Sequence, residues 1–525
     1  MTLDRGVMVA LQALVLGLPL MLGGRSEWAL ALACPLVLTL LAVTVIARQW
    51  RGGPAAPALW ALAGFVALAL ATTVPVPPAL LRAVAPATAR LYADLLPGWP
   101  GGGGWSASRP VAIDPYGVWL ALCQVSIGVG AFAVLVAYPW QPAWDGEDAR
   151  QAVFARVLMT LLAGGVLVAA AGLVGTIGGS GQAPWVSDRS YSGRMSGPFV
   201  NPNHFAAWLE MIVPVALAYA LAVAIRVRRR LTRAVGTGQG MGVRRRQAWA
   251  AALIAHQRRL CIPLVALTAA VAMAFAHKAS GSRGGTAALL TGLAVTGAGL
   301  ALGRLRHTRG WLPAVCALAL FAVSGATLLQ VAASEVDQAD VETIDEGLGS
   351  RFAASAQGIG VLRDHLLLGT GLGSWLHAFR LYQAPPIDDA TWDHAHDDYV
   401  ELAAETGLAG ITLVALFGLA VLHAARRGAP RGREQRRPRG FEEPEWLAAL
   451  RERTLLRWGL AGGVAAILIH SLVDFSLRMP ANLLCLMILL GLLVLSGRPE
   501  PVRPAPQFAL LLLLLVVAAV PVGAN

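Results

Sequence analysis

Apolar residues fall in long unbroken blocks along the chain, separated by shorter polar stretches. The blocks lie at about 7–23, 28–47, 58–74, 117–137, 153–177, 204–225, 261–277, 285–303, 311–331, 407–425, 458–474, 483–496 and 508–522. Most approach the roughly 20 residues that a helix needs to cross the hydrocarbon of a bilayer. Barrel strands would alternate apolar and polar positions instead. The pattern therefore predicts an all-α polytopic membrane helix bundle of about 12–13 transmembrane helices. The last block is short, and it fits either a tilted span or a peripheral segment. The first block lacks a small-residue cleavage site and is expected to stay as a helix.

The polar stretches set the orientation. Two linkers, 226–260 and 426–457, hold ten arginines each. Both fall on one side, with Arg48, Arg51, Arg304, Arg306 and Arg309, if the N-terminus is cytoplasmic. Anionic lipid heads attract such linkers, so membrane lipids are expected partners. The stretches 75–116, 178–203, 278–284, 332–405 and 475–482 are then exterior. The segment 332–405 is too long for a simple connection and is expected to be partly helical. Four regions follow: N-terminal transmembrane helices (1–190), central ones (191–331), the large exterior loop (332–405) and C-terminal transmembrane helices (406–525).

Composition narrows the class further. Of 525 residues, 56% are hydrophobic and 14% charged, too few charges for the surface of a soluble enzyme of this size. A disordered chain would be less apolar. The net charge of +12 is mostly a topology signal, because the arginine-rich linkers outweigh a net acidic exterior. No nucleic-acid partner is expected. The five cysteines (Cys34, Cys123, Cys261, Cys316, Cys485) all lie in apolar blocks, which predicts packing rather than a disulfide framework.

Four exterior stretches carry candidate chemistry. In 393–405, Asp398, Glu401 and Glu405 share a helical face, with His396, Tyr399 and Val400 beside it, and Gly407 breaks the pattern. A histidine here can take a hydroxyl proton, with Asp397 or Asp398 orienting it. A solvated acidic helix start explains the same residues equally well. A metal site from His394, His396 and nearby aspartates fits less well, because i, i+2 side chains do not share a helical face. In 191–204, Asn201 reads as an N-cap with Pro202 at the first helical position. Asn203 lies in that first turn, and Arg194 is close enough to fold over it. A bare cap is the simpler alternative.

The third stretch, 277–285, is a tight hairpin with Lys278, the only lysine of the chain, and Arg283. These suit phosphate oxygens, or snorkel at the interface. The fourth, 470–480, sets His470 and Asp474 at i, i+4, and Arg478 extends the row if the helix persists. It suits catalysis or a local interhelical hydrogen bond. The glycines of 369–373 resemble a phosphate loop but lack its lysine, so the segment reads as a turn.

GPFVNPNHFAAWLE (197–210), SGSRGG (280–285), HLLLGTGLGSW (365–375), HAHDDYVELAAETGLAGI (394–411) and HSLVDFSLRMPAN (470–482) occur in that order. Together they resemble the O-antigen ligase and polysaccharide polymerase superfamily of bacterial inner membranes. The resemblance implies a GT-C-like fold with a large periplasmic loop. It implies transfer of a glycan from an undecaprenyl-diphosphate carrier, at the periplasmic face, to the lipid A core or a growing glycan. It implies neither metal nor other cofactor. By motif position, Arg194 and Arg283 bind the donor diphosphate and His396 is the catalytic histidine. Asp397 stands where the family often has asparagine.

Joined to the residue chemistry, these motifs predict an inverting glycosyltransferase. His396, Asp397 and Asp398 are expected to be catalytic, and Arg194, Arg283 and Lys278 to hold the diphosphate. Asn201, Asn203, His394, His470 and Asp474 support them. A polymerase of the same superfamily is the alternative. A polysaccharide-lipid transporter or flippase would show internal repeats with polar groups near the midplane, and neither pattern is found.

Overall fold

The computed structural model describes residues 2–46, 55–101, 107–140, 149–187, 193–235, 243–255, 257–304, 348–427 and 445–497. Among these residues the fold is all-α, and only two isolated β-bridges occur, Val76 with Arg109 and Gln182 with Gly197. Nine of the described helices are long and apolar enough to cross a membrane. They are α1 (Thr2–Leu20), α2 (Glu27–Ile46), α3 (Ala56–Thr73), α6 (Pro115–Ala137), α7 (Ala149–Ile177), α8 (Pro202–Val235), α10 (Gln257–Ala279), α11 (Arg283–Arg304) and α14 (Asp398–Arg427).

The remaining helices are α4 (Pro78–Val84), α5 (Pro86–Leu95), α9 (Val243–Ala255), α12 (Leu348–Asp364), α13 (Trp375–Phe379), α15 (Glu445–His470) and α16 (Pro480–Leu495). The chain is thus a polytopic membrane protein. The expected blocks at 311–331 and 508–522 lie outside the described residues. The block at 458–474 falls on α15, whose first half carries Arg451, Glu452, Arg453 and Arg457. The block at 483–496 falls on α16, a shorter apolar helix of 16 residues.

Contacts divide the chain into two units. The first comprises residues 1–157, 323–428 and 468–525, and the second comprises 158–322 and 429–467. In the first unit α6 packs on α2, α3 and α16, and α3 packs on α14. Phe65, Val66, Val118, Leu122 and Leu372 form one buried cluster there. Residues 348–405 build a second core, in which Trp375 stacks on Phe379 at 4.5 Å between ring centroids and packs with Val361, Ile387 and Trp392. The large loop is therefore partly helical over its described part, as its length requires. Burying these rings, at about 25 cal/mol per Å² of apolar surface, gives the loop a core of its own.

In the second unit α8 packs on α10 and α11. A Cβ at Gly292 of α11 would collide with the carbonyl of Gly462 in α15, so glycine there permits close helix approach. Cys34 donates to the Cys123 carbonyl at 3.0 Å, and Cys485 is buried. Cys261 is exposed rather than packed. Cys316 lies outside the described residues.

Candidate active site

In the first unit the glycine-rich segment is a turn. Gly369, Gly371 and Gly373 have φ of 71°, 102° and 80°. Its amides serve the protein itself: Thr370 N–H donates to the Ala404 carbonyl at 3.1 Å and Gly371 N–H to that of Glu405 at 2.9 Å. The turn thereby fixes the first turns of α14.

Asp397 caps that helix. Its Oδ1 accepts the N–H groups of Tyr399 at 2.9 Å and Val400 at 3.1 Å, the usual way of satisfying first-turn amides. Burial raises its carboxyl above the ordinary range, and these hydrogen bonds oppose the shift. Asp398 is buried, and its Oδ2 accepts from Ser471 Oγ at 2.9 Å and Leu477 N–H at 3.0 Å. Neither aspartate orients His396, contrary to the expectation from their adjacency. One is used by the helix end and the other by the segment after α15.

His396 itself is not on the helix. Its φ is +52°, a left-handed conformation that is uncommon outside glycine, and α14 starts only at Asp398. It therefore does not share the helical surface of Tyr399 and Val400 that the sequence pattern predicts. Its Nδ1 lies 3.7 Å from Oδ1 of Asp474. The ring makes edge contacts with Trp392 and Phe475, at centroid distances of 5.4 and 4.8 Å. Burial holds His396 below its ordinary value of 6.5, although Asp474 pulls the other way. The Arg351 charge reinforces the lowering.

Asp474 is the centre of this cluster and is fully buried. Ser476 Oγ donates to its Oδ2 at 2.7 Å. Arg351 Nη1 on α12 lies 3.6 Å from Oδ1, and His470 Nε2 lies 4.0 Å from Oδ2. The helical row expected for His470, Asp474 and Arg478 does not form. The helix ends at His470, and a 3-10 turn, Ser476–Arg478, follows. The turn carries Arg478 to the opposite partners: its Nε lies 3.0 Å from Glu401 and its Nη2 2.7 Å from Glu405. The shared face of Asp398, Glu401 and Glu405 is real, and its buried carboxylates receive Arg478, Leu477 N–H and Ser471. Glu401 also binds His394, whose Nδ1 lies 2.8 Å from Oε1.

The second unit holds the other candidate cations. Asn201 is the expected N-cap of α8, its Oδ1 accepting the N–H of Asn203 at 2.7 Å. Arg194 folds over this helix start. Its Nη2 donates to Oδ1 of Asn203 at 3.3 Å and its Nε to the Ser280 carbonyl at 2.8 Å. Ser280 sits in the expected hairpin between α10 and α11, where Gly281 has φ of 68°. Ser282 Oγ accepts the Gly285 N–H at 3.1 Å and so caps α11. Lys278 and Arg283 flank this turn and are both exposed. Arg194, Asn203 and the hairpin are thus joined in one place.

Three contributors were not read from the sequence. Arg351 reaches Asp474, and Phe475 the two histidines, only through tertiary contact, whereas Ser476 bonds Asp474 two residues away within the same turn. Arg351 has no local signal, being one charge on a mixed helix. Among the described residues, no group of three or more His, Cys, Asp or Glu is arranged to hold a metal ion.

Residues 268–415 match the model of the O-antigen ligase family. The match covers well under half of the chain and supports the O-antigen ligase-like superfamily. It supports a ligase- or polymerase-type membrane enzyme. The matched stretch contains Lys278, Arg283, Arg351, His394 and His396, whereas Arg194, His470 and Asp474 lie outside it. No curated protein matches the chain significantly.

Proposed function

We propose, from the premise that residues 268–415 are of O-antigen ligase type, that this chain is a membrane glycosyltransferase. It moves a glycan from an undecaprenyl-diphosphate carrier to an acceptor sugar of the lipid A core. The reaction faces the periplasm at the bacterial inner membrane, the side assigned by the arginine-rich linkers.

The observation that carries this reading is His396, kept neutral by burial with Asp474 behind its Nδ1. With Nδ1 turned to the carboxylate, Nε2 accepts the proton of the acceptor hydroxyl. The hydroxyl oxygen attacks the anomeric carbon, the bond from that carbon to the diphosphate oxygen breaks, and its electron pair leaves with the diphosphate. Direct attack inverts the anomeric centre. Asp474 stabilises the imidazolium that forms, as carboxylates do behind other histidine bases. Arg194, Arg283 and Lys278 bind the donor diphosphate and offset its charge as the bond breaks. Fixed cations suffice for this role, so the reaction needs no metal.

The test is transfer by purified protein from a lipid-linked glycan. His396→Ala is expected to abolish it, and full transfer by that variant overturns the assignment. A deletion strain separates ligase from polymerase. Loss of polymer attachment with normal chain length identifies a ligase, and loss of chain length identifies a polymerase.

A further inference from the structure

His394 lies two residues from His396, and the two rings meet the same aromatic side chain. His394 stacks on Phe475 at 4.0 Å between centroids with an interplanar angle of 18°, and His396 meets Phe475 edge-on at 82°. Each ring presents Nδ1 to a buried carboxylate, Glu401 for His394 and Asp474 for His396. The two contacts differ in kind. The His394 contact, at 2.8 Å, is a charge-assisted hydrogen bond. The His396 contact, at 3.7 Å, is longer than a hydrogen bond.

We propose that His394 is a second substrate-facing residue, an imidazolium whose Nε2–H donates to an anionic oxygen of the lipid diphosphate. This rests on the glycosyltransferase reading above. Nδ1 is held by Glu401, so Nε2 is the ring nitrogen left to meet solvent, and the side chain is 23% exposed. The stacked Phe475 fixes the ring plane. An anchored, partly exposed cation of this kind suits a diphosphate oxygen.

The surrounding charges support the cationic form. Glu401 faces His394 from α14, and Asp393 precedes it in the chain. Arg478 opposes from the 3-10 turn, and Arg25, 3.8 Å from Asp393, draws on that carboxylate. Burial alone would lower the imidazole, but Glu401, with help from Asp393, raises it above 6.5. His396 is shifted the opposite way. Neighbouring groups pushed apart like this are the usual arrangement of an acid and a base in one site. The two histidines therefore divide the work, His396 accepting a proton and His394 presenting charge.

The alternative is that His394 only anchors the loop to α14. Binding of undecaprenyl diphosphate to the full chain in nanodiscs, followed from about pH 6 to about pH 9, separates the two. Wild-type affinity is expected to fall about tenfold over this range as His394 loses its proton, the size of one charge-assisted hydrogen bond. The diphosphate does not lose negative charge as pH rises, so its own ionisation does not produce such a fall. His394→Arg is expected to remove the fall. His394→Gln, which keeps a donor for Glu401 without the charge, is expected to bind about tenfold more weakly at the acidic end. Affinity that stays constant with pH in the wild type, or wild-type binding by His394→Gln, overturns the proposal. Transfer by His396→Ala reports separately on the base assignment, so the two failures are distinguishable.

Discussion

Oδ1 of Asp474 lies 3.7 Å from Nδ1 of His396, although the two residues come from segments on either side of α14 and α15. Asp474 is fully buried and His396 largely so. The carboxylate can orient the imidazole and stabilise its cation without meeting substrate itself. Asp474→Asn is therefore expected to lower kcat while leaving KM for the donor nearly unchanged. His396→Ala is expected to cost about 10²- to 10⁴-fold in rate, the range of a lost general base. Steady-state transfer rates of the two purified variants check both expectations.

The same pair sets a pH dependence. His396 works as a base only when neutral, and burial holds its pKa below 6.5. Transfer is therefore expected to be little affected by the titration of His396 around neutral pH and to fall as pH drops through that lowered value. Asp474 raises His396 and Arg351 lowers it. Asp474→Asn should move the acid limb to still lower pH, and Arg351→Gln should move it up. A pH–rate profile for each variant reads the direction. Shifts of the opposite sign would remove Asp474 and Arg351 from the environment of His396.

Local features of this chain were legible in its sequence, and tertiary ones were not. Asn201 and Pro202 announce the start of α8 because a cap and a fixed proline φ act within one turn. Gly407 announces a break for the same reason. The apolar blocks locate helices because membrane crossing demands length. Adjacency misled the reading of Asp397 and Asp398, since helix capping and the Ser471–Leu477 segment claim those carboxylates. The end of α15 at His470 was hidden too. Apolar composition continues to Val473, but Asp474 is needed beside His396, and the chain turns to deliver it.

Arg194 holds two acceptors with one guanidinium, Ser280 O and Asn203 Oδ1. A lysine is a single point charge and cannot reproduce that fork. Arg194→Lys is expected to retain only part of the donor affinity and Arg194→Ala to lose more. Donor KM measured for the two variants gives the order. Equal effects of lysine and alanine at position 194 would contradict the bracing role.

Arg478, 15% exposed, pairs with the buried Glu401 and Glu405, and those acids keep its guanidinium protonated well above the ordinary range despite desolvation. Removing one partner of a buried ion pair leaves uncompensated charge, typically at a cost of about 3–5 kcal/mol. Arg478→Leu leaves two buried carboxylates, with His394 on Glu401 as the remaining ion-pair partner among the described residues. A lower Tm of the purified protein is expected. The double variant with Glu405→Leu should recover part of the loss, because it removes one of the stranded charges. Additive losses in this double-mutant cycle would show that the pair is not coupled.

Gly407 separates the loop-facing first turns of α14 from its apolar remainder. Its φ of 61° and ψ of −166° interrupt the helix and lie in a region that is essentially reserved for glycine. A Cβ would also collide with the Leu367 carbonyl group. The chain just after the break is tied twice: Leu408 N–H donates to the Leu366 carbonyl at 2.8 Å, and Ala409 N–H to that of Leu367 at 3.2 Å. Gly407→Ala thus meets both backbone strain, about 1–3 kcal/mol for such a conformation, and a steric clash. Relieving either one requires the Leu366–Leu367 segment to move. That segment leads directly into the turn at Gly369, which holds Glu405 and Ala404. The variant is therefore expected to lower Tm and also to reduce transfer at temperatures where it remains folded, because the start of α14 carries Asp397 and Glu401. Proline in place of the neighbouring Leu408 removes the first hydrogen bond and a half-exposed side chain but leaves Gly407 itself, so comparing Tm with activity in the two variants separates strain at Gly407 from loss of the tie.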